Sequence, residues 1–324
     1  AVGAQATIDV ALQMQAGNPS NATADANNHA HYLIQRPQYA LDYNDTTREP
    51  NWVAWDYTTA DSGSAGRSPD FFQDTTLPAG FYQVLTTDYS GSGYDRGHMS
   101  PSADRTATRA DNDATFYMSN MIPQAPDNNQ GVWANFENYT RSVAAAGNEM
   151  LIISGPSEFA GSTIASGVAI AGYTWKIVVV VPLGSGTAID RIIAAGSAAI
   201  RVIAIRIPNI QGVRSDPWQN YITSPAVIES KTGYTFFTNL PTAIANALRV
   251  KIDGQTATGA PVVVTPPSAQ TAPVGGSATF TVTATDSCGI GSLGRPQRAS
   301  SVSAPLPRST ISGTPCSRAS APSS

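Results

Sequence analysis

The chain has 324 residues, of which 41% are hydrophobic and 13% charged, with a net charge of −4 at neutral pH. That length and apolar content allow one large domain with a sizeable core, and further segments besides. No run of about 18 apolar residues is present, which excludes a membrane-spanning helix, and the negative net charge argues against general adhesion to nucleic acid.

Both cysteines, Cys288 and Cys316, fall near the end of the chain, so residues 1–287 fold without a disulfide or a thiolate metal site. The start, Ala1-Val2-Gly3-Ala4-Gln5-Ala6, suits a mature form whose signal peptide has been removed, although a cut made elsewhere would look the same. The polar, turn-rich stretch Asn18 to His31 holds two of the three histidines. On a strand His29 and His31 would point the same way, but no third ligand is near, and a solvated or locally hydrogen-bonded pair is expected rather than a metal site. Tyr39, Leu41 and Tyr43 alternate with smaller or polar residues, and Trp52-Val53-Ala54-Trp55 follows the turn Asn44-Asp45-Thr46-Thr47. These predict two strands of a hairpin.

The stretch Tyr94-Asp95-Arg96-Gly97-His98-Met99-Ser100 carries the first chemistry. An imidazole that titrates near neutral pH is a natural base for activating water. Arg96 adds a fixed positive charge suited to phosphate, and Gly97 removes a side chain where backbone or ligand comes close. Each residue also has an ordinary reading, a structural histidine and a surface Asp-Arg pair. Asn129 follows His98 by 31 residues and opens a segment, Gln130 to Ala146, whose periodicity predicts an amphipathic helix stopped by Gly147. Trp133, Phe136, Val143 and Ala144 would face a core. At about 100° per residue, Asn129 and Glu137 lie about 80° apart and Glu137 and Arg141 about 40° apart. One helix then presents an amide, a carboxylate and a guanidinium to one cleft, unless Glu137 and Arg141 form only an i,i+4 surface pair.

Met150-Leu151-Ile152-Ile153, Trp175 to Val181 and Val202 to Ile207 are short apolar runs near Gly or Pro, the pattern of buried strands, and predict a central sheet. Trp218 to Tyr221 reads as a loop, and Ala226 to Thr232 as a short helix ending at Gly233; all of this is scaffold. After residue 253 the composition shifts. Residues 254–267, with Pro261 to Pro267 at their core, read as a linker. Ala272 to Thr285 resembles the opening strands of a bacterial immunoglobulin-like repeat, but only 38 residues follow Asp286, against the roughly 100 of a whole sandwich. Those residues are mostly Ser, Pro, Gly, Ala and Arg, so 268–324 is expected to be a partial remnant with a disordered tail, suggestive of an altered reading frame. Residues 1–287 hold 15 basic and 23 acidic side chains, net −8. Binding a polyanion therefore requires local positive charge, and Arg96, Arg105, Arg109 and Arg141 flank the motif as a focused groove would require, or else lie on a solvated surface.

Taken together, Tyr94-Asp95-Arg96-Gly97-His98-Met99, Asn120-Met121-Ile122-Pro123-Gln124 and Asn129-Gln130-Gly131-x-Trp133-x-x-x-Glu137 resemble the DNA/RNA non-specific endonucleases, the ββα-metal nucleases. The resemblance runs from about Asn18 to about Leu248 and takes in Tyr39-Ala40-Leu41, Asn51 to Trp55, Ser154-Gly155-Pro156 and Glu229-x-x-Thr232-Gly233. It implies an α+β fold with a central, mainly antiparallel sheet flanked by helices, over residues 1–253. It implies a Mg²⁺-dependent endonuclease (Mn²⁺ serving as well) that cuts DNA and RNA to 5′-phosphate products. Residue by residue, His98 becomes the general base and Asn129 the direct metal ligand. Glu137 holds a metal-bound water and Asn120 orients the site. Arg96, Arg67 and Arg141 contact phosphate, with Asp95 placed beside Arg67 and Arg141 in substrate binding. Ser100 departs from the Ala many relatives carry. Composition and resemblance together suggest a secreted protein, extracellular or periplasmic. A catalytically silent binding module on the same fold is the alternative, against which the intact set His98, Asn129 and Glu137 argues.

Overall fold

The computed structural model describes residues 10–254 and two short strands beyond them. The chain divides into two compact units, Ala1–Gln255 and Thr256–Ser324. Among its described residues the first unit has nine strands: β1 (Tyr32–Gln35), β2 (Ala40–Asn44), β3 (Glu49–Tyr57), β4 (Asp95–His98), β5 (Met121–Gln124), β6 (Asn148–Thr163), β7 (Ala169–Pro182), β8 (Arg201–Pro208) and β9 (Ile222–Thr223). Its helices are α1 (Arg109–Ala114), α2 (Ala134–Ala145), α3 (Ala188–Ala195), α4 (Pro225–Thr232) and α5 (Thr242–Arg249). Seven strands form one antiparallel sheet in the order β1-β2-β3-β6-β7-β8-β9, while β4 and β5 pair only with each other.

Side-chain alternation along β7 shows how the sheet is covered. Ile177, Val179 and Val181 pack with Ala188 and Ile192 of α3, Ile228 of α4 and Leu248 of α5. Val178 and Val180 belong to the opposite core, with Phe136 and Ala144 of α2. Successive side chains of a strand point to opposite faces, so a strand buried on both reads as an unbroken apolar run. Each such buried side chain contributes about 1.5–3 kcal/mol. The expected strands at Met150, Trp175 and Val202 are thus present and longer than their apolar cores, and the hairpin predicted over Tyr39–Trp55 is β2 paired with β3. The segment 226–232 is helical and ends at Gly233. His29 and His31 are held locally, their Nδ1 atoms 3.0 Å from Asp45 and 2.8 Å from Asp42.

The helix expected over 130–146 is corrected. Asn128–Trp133 is a wide, irregular turn, and regular helix begins only at Ala134. The break sits at Gly131, whose φ of −110° and ψ of −106° are non-helical. A Cβ there would come within 2.5 Å of the Arg214 backbone, so the close approach of that loop requires glycine. Asn129 therefore does not share a helical wheel with Glu137 and Arg141. In the second unit, β10 (Val262–Thr265) pairs antiparallel with β11 (Thr283–Thr285). The segment expected as a linker, 254–267, thus carries a strand. The linker's remaining residues 255–261 and 266–267, most of the immunoglobulin-like stretch and the tail lie outside the described residues.

Candidate active site

β4, β5 and α2 form a ββα unit seated on the sheet face that carries Val178 and Val180. Met99 and Ile122 enter that core, and Ser154 of β6 donates to the Met99 carbonyl at 3.1 Å. Strand register sets Arg96 against Pro123, Gly97 against Ile122 and His98 against Met121. The loop after His98 is tied to Asn120 by three hydrogen bonds, and a fourth ties Asn120 to Thr115. The Asn120 carbonyl accepts from Met99 N–H at 3.0 Å, and its Oδ1 from Ser100 N–H at 3.0 Å. Its Nδ2 donates to the carbonyls of Ser100 at 2.9 Å and Thr115 at 2.8 Å. Fully buried, Asn120 fixes the backbone that presents His98.

His98 is 8% exposed and its Nε2 has no hydrogen-bond partner. Its ring meets Phe116 edge-on at 4.7 Å and Phe71 at 5.6 Å. Each phenyl also carries an arginine, Arg67 at 4.7 Å from Phe116 and Arg96 at 4.2 Å from Phe71. Burial, then Arg67, then Arg96 push the imidazole down to about 3, so it is neutral at physiological pH. A neutral imidazole whose buried nitrogen has no partner has a lone pair free to accept a proton.

In front of Arg67 and Arg96 opens a cleft of about 440 Å³, walled also by Phe71, Tyr89, Tyr94, Asp95, Asn129 and Gln130. Asp95 Oδ2 accepts from Asn129 Nδ2 at 2.8 Å and from Gln130 Nε2 at 2.7 Å. That fixes the amide orientation of Asn129 and leaves its Oδ1 as the available donor to a cation. Asp95, expected to bind substrate, is a carboxylate that repels phosphate; its visible work is to hold Asn129.

Glu137 and Arg141 do project from α2, but each is already paired. Glu137 Oε1 accepts from Lys176 Nζ at 2.9 Å, and Arg141 Nη1 donates to Asp104 Oδ1 at 2.8 Å. Glu137 still acts on Arg67, opposing the burial that lowers that guanidinium. Arg67 donates to Ser102 Oγ at 2.7 Å. The groove expected from Arg105 and Arg109 is not formed by them. Arg105 is fully buried, donating to the carbonyls of Asp56, Gln38 and Asp104, and Arg109 pairs with Asp113 at 2.7 Å. Among the described residues, only Arg48, Arg67, Arg96 and Lys251 lack a carboxylate within 4.0 Å. Two of these four line the cleft, so positive charge is concentrated there in an acidic chain.

Lys176 and Asp104 were missed in the sequence. Lys176 interrupts the run Trp175 to Val181, and a charge inside a buried strand requires a partner; that was the available signal. Asp104, which also accepts from Trp55 Nε1 at 3.0 Å, gave none.

The family model described as DNA/RNA non-specific endonuclease matches residues 17–243. A nuclease of Nostoc is 43% identical over 244 residues, covering 75% of this chain and 87% of its own length. Mitochondrial endonuclease G of Bos taurus is 31% identical over 212 residues, covering 64% of this chain and 70% of its own. A crystal structure of an EndoG/EndoGI complex contains a chain that matches with a TM-score of 0.59 at 25% identity, over 73% of this chain and 95% of that one. The ββα unit on a large antiparallel sheet agrees with the structural match, and the matches place the chain: it belongs to the DNA/RNA non-specific endonuclease family and is a nuclease that hydrolyses phosphodiester bonds.

Proposed function

We propose that this nuclease cuts both DNA and RNA with little sequence preference, using His98 as general base and a hydrated Mg²⁺ at Asn129, with Mn²⁺ as a substitute, and leaves 5′-phosphate ends. Composition supports an extracellular or periplasmic setting. The observation that carries the reading is the neutral, unpartnered His98 Nε2 between two arginines that have no carboxylate partner.

The residues present fit a hard cation. The Asn129 amide oxygen is a neutral oxygen ligand fixed by Asp95, and no group of three or more His, Cys, Asp or Glu competes among the described residues. Such an ion keeps several waters, and the Glu137 oxygen not bonded to Lys176 can hold one of them. When bound, it would take up charge on the reacting phosphate and supply an acidic water to the leaving 3′-oxygen.

The protein's own part follows from the geometry. Arg67 and Arg96 draw the phosphate into the cleft and bear the charge that grows on its oxygens. Arg141 joins them only by leaving Asp104. His98 Nε2 accepts the proton of the attacking water. The phosphate's negative charge offsets Arg67 and Arg96, the two charges that depress His98, so the imidazole becomes a stronger base when substrate is present. Contacts to phosphate rather than base edges give little sequence preference.

The test is digestion of supercoiled plasmid and single-stranded RNA, with Mg²⁺ or EDTA, by wild type and His98→Ala. Metal-dependent cutting of both that drops by about 10²–10⁴-fold in the variant is expected for loss of a general base. Undiminished cutting by His98→Ala would remove the base from the proposal, and cutting of DNA alone would remove RNA from it.

A further inference from the structure

The interior strand β7 places one charged side chain in the core beneath the active site. Lys176 is 1% exposed, and its Nζ lies 4.2 Å from the centre of the Trp133 ring and 5.2 Å from that of Trp55. Its alternation puts it on the face of Val178, toward α2, where Nζ donates to Glu137 Oε1 at 2.9 Å. Glu137 has no other side-chain hydrogen bond to its carboxylate among the described residues. Two aromatic faces and a strand backbone therefore fix the ammonium, and the ammonium fixes the carboxylate.

We propose that Lys176 is a positioning residue of the active site: it holds one oxygen of Glu137 against β7, so that the other is directed to the hydrated metal ion at Asn129. This rests on the proposed role of Glu137. Three features support it. An exposed Glu-Lys pair is worth little, but a lysine sealed between tryptophans has no alternative rotamer in water. Desolvation of a buried ammonium demands a partner, and Glu137 is the carboxylate within reach. With Oε1 engaged, Glu137 cannot chelate through both oxygens, which suits contact through a single bound water. Trp133 belongs to the irregular turn that carries Asn129, so the lysine touches both segments that face the ion.

The sign of the effect separates positioning from bulk electrostatics. Removing a positive charge near a cation site should tighten cation binding if charge alone matters. Removing the group that orients Glu137 should weaken it, by roughly 10–100-fold as for other residues that orient groups around a metal.

The experiment is Mn²⁺ binding to the full chain without nucleic acid, followed by electron paramagnetic resonance, in wild type, Lys176→Met, Glu137→Gln and the double variant, with kcat and KM measured alongside. Lys176→Met is expected to weaken Mn²⁺ and lower kcat more than it raises KM, and the double variant should bind no more weakly than Glu137→Gln. Unchanged or tighter Mn²⁺ binding in Lys176→Met, or additive losses in the double variant, would overturn the inference. Wild-type behaviour of Glu137→Gln would instead overturn the role of Glu137 on which it rests. Should Lys176→Met fail to fold, the ¹⁵Nζ signals of the chain's three lysines supply a second measurement. One slowly exchanging ammonium signal that is lost in Glu137→Gln is expected, and its persistence there would overturn the pairing.

Discussion

Gly97 tests how tightly the catalytic strand is fitted. It lies in β4 opposite Ile122, between Arg96 and His98. A Cβ added there would fall 2.1 Å from Gln124 Oε1 and 2.5 Å from Gln124 Cβ. The amide oxygen can rotate away, but the Gln124 Cβ is fixed to β5, and Gln124 Nε2 is held by Asn128 Oδ1 at 2.6 Å. Ordinary contact begins near 3.4 Å, so the two strands must separate locally by about 0.9 Å in a packed interior that resists such shifts. Overpacking of this kind costs about 1–3 kcal/mol, against which the reduced entropy of an unfolded Ala chain returns at most about 1. The larger effect is on chemistry, because His98 and Arg96 move with the strand, and a displacement of about 1 Å costs about 10²-fold. Gly97→Ala should therefore lose about two orders of magnitude in kcat/KM on plasmid while its urea midpoint falls only modestly. A variant with wild-type kcat/KM would show that the strand tolerates the methyl and that this close approach does not position the base.

His98, depressed to about 3, has its active neutral form at all pH values above that, so kcat/KM of the free enzyme should hold as pH falls through 6.5, where an ordinary histidine would lose it. Stability follows the same direction. The unfolded chain takes up this proton below about 6.5 and the folded chain only near 3, so the contribution is present above 6.5 and is lost as pH falls across that window; urea unfolding between pH 4 and 7 reads it. Arg67→Met removes the arginine that acts more strongly on the ring and should raise the acid limb of kcat/KM; an unmoved limb would remove Arg67 from the causes of the depression. Arg105→Met leaves the carbonyls of Asp56, Gln38 and Asp104 and the carboxylate of Asp61 without their buried partner, and should cost about 3–5 kcal/mol in urea unfolding. Deleting everything after Pro266 should leave plasmid cutting intact, since the described site lies wholly in the first unit; a folded truncation that no longer cuts would refute this.

What the sequence revealed and what it hid divides on physical grounds. The strands were legible because Val178 to Val181 alternate between two buried faces with no polar position, and the run Ile203 to Ile207 is broken only by the half-buried Arg206. His98, Asn120 and Asn129 were legible because their chemistry is carried by contiguous short motifs. The break at Gly131 was not, because it arises from the backbone of Arg214, more than 80 residues away. Arg105 looked like a groove residue by proximity in sequence, yet it is swallowed by carbonyls from β3, the turn between β1 and β2 and its own neighbour Asp104. The pairings of Glu137 with Lys176 and of Arg141 with Asp104 are likewise tertiary. Periodicity placed both α2 side chains on one face, but it held no information about which opposite charges that face would meet.

Those pairings determine how the protein meets its substrate. Residues 1–287 carry a net charge of −8, and the described cations are mostly neutralised by carboxylates. In the cleft only Arg67 and Arg96 are unpaired, each resting on a phenylalanine ring. A polyanion should therefore release few counterions on binding. With two phosphates neutralised, log K against log salt should have a slope of about −1.8 on duplex DNA, or about a 12-fold loss between 50 and 200 mM salt. On single strands the slope should be about −1.4. Fluorescence anisotropy of short labelled strands with His98→Ala in EDTA measures this without cleavage. A slope steeper than about −4 would require four or more cations in contact with phosphate. Arg141 would then have to leave Asp104, or a surface beyond the cleft would have to engage the strand, and the picture of two focused arginines would fall.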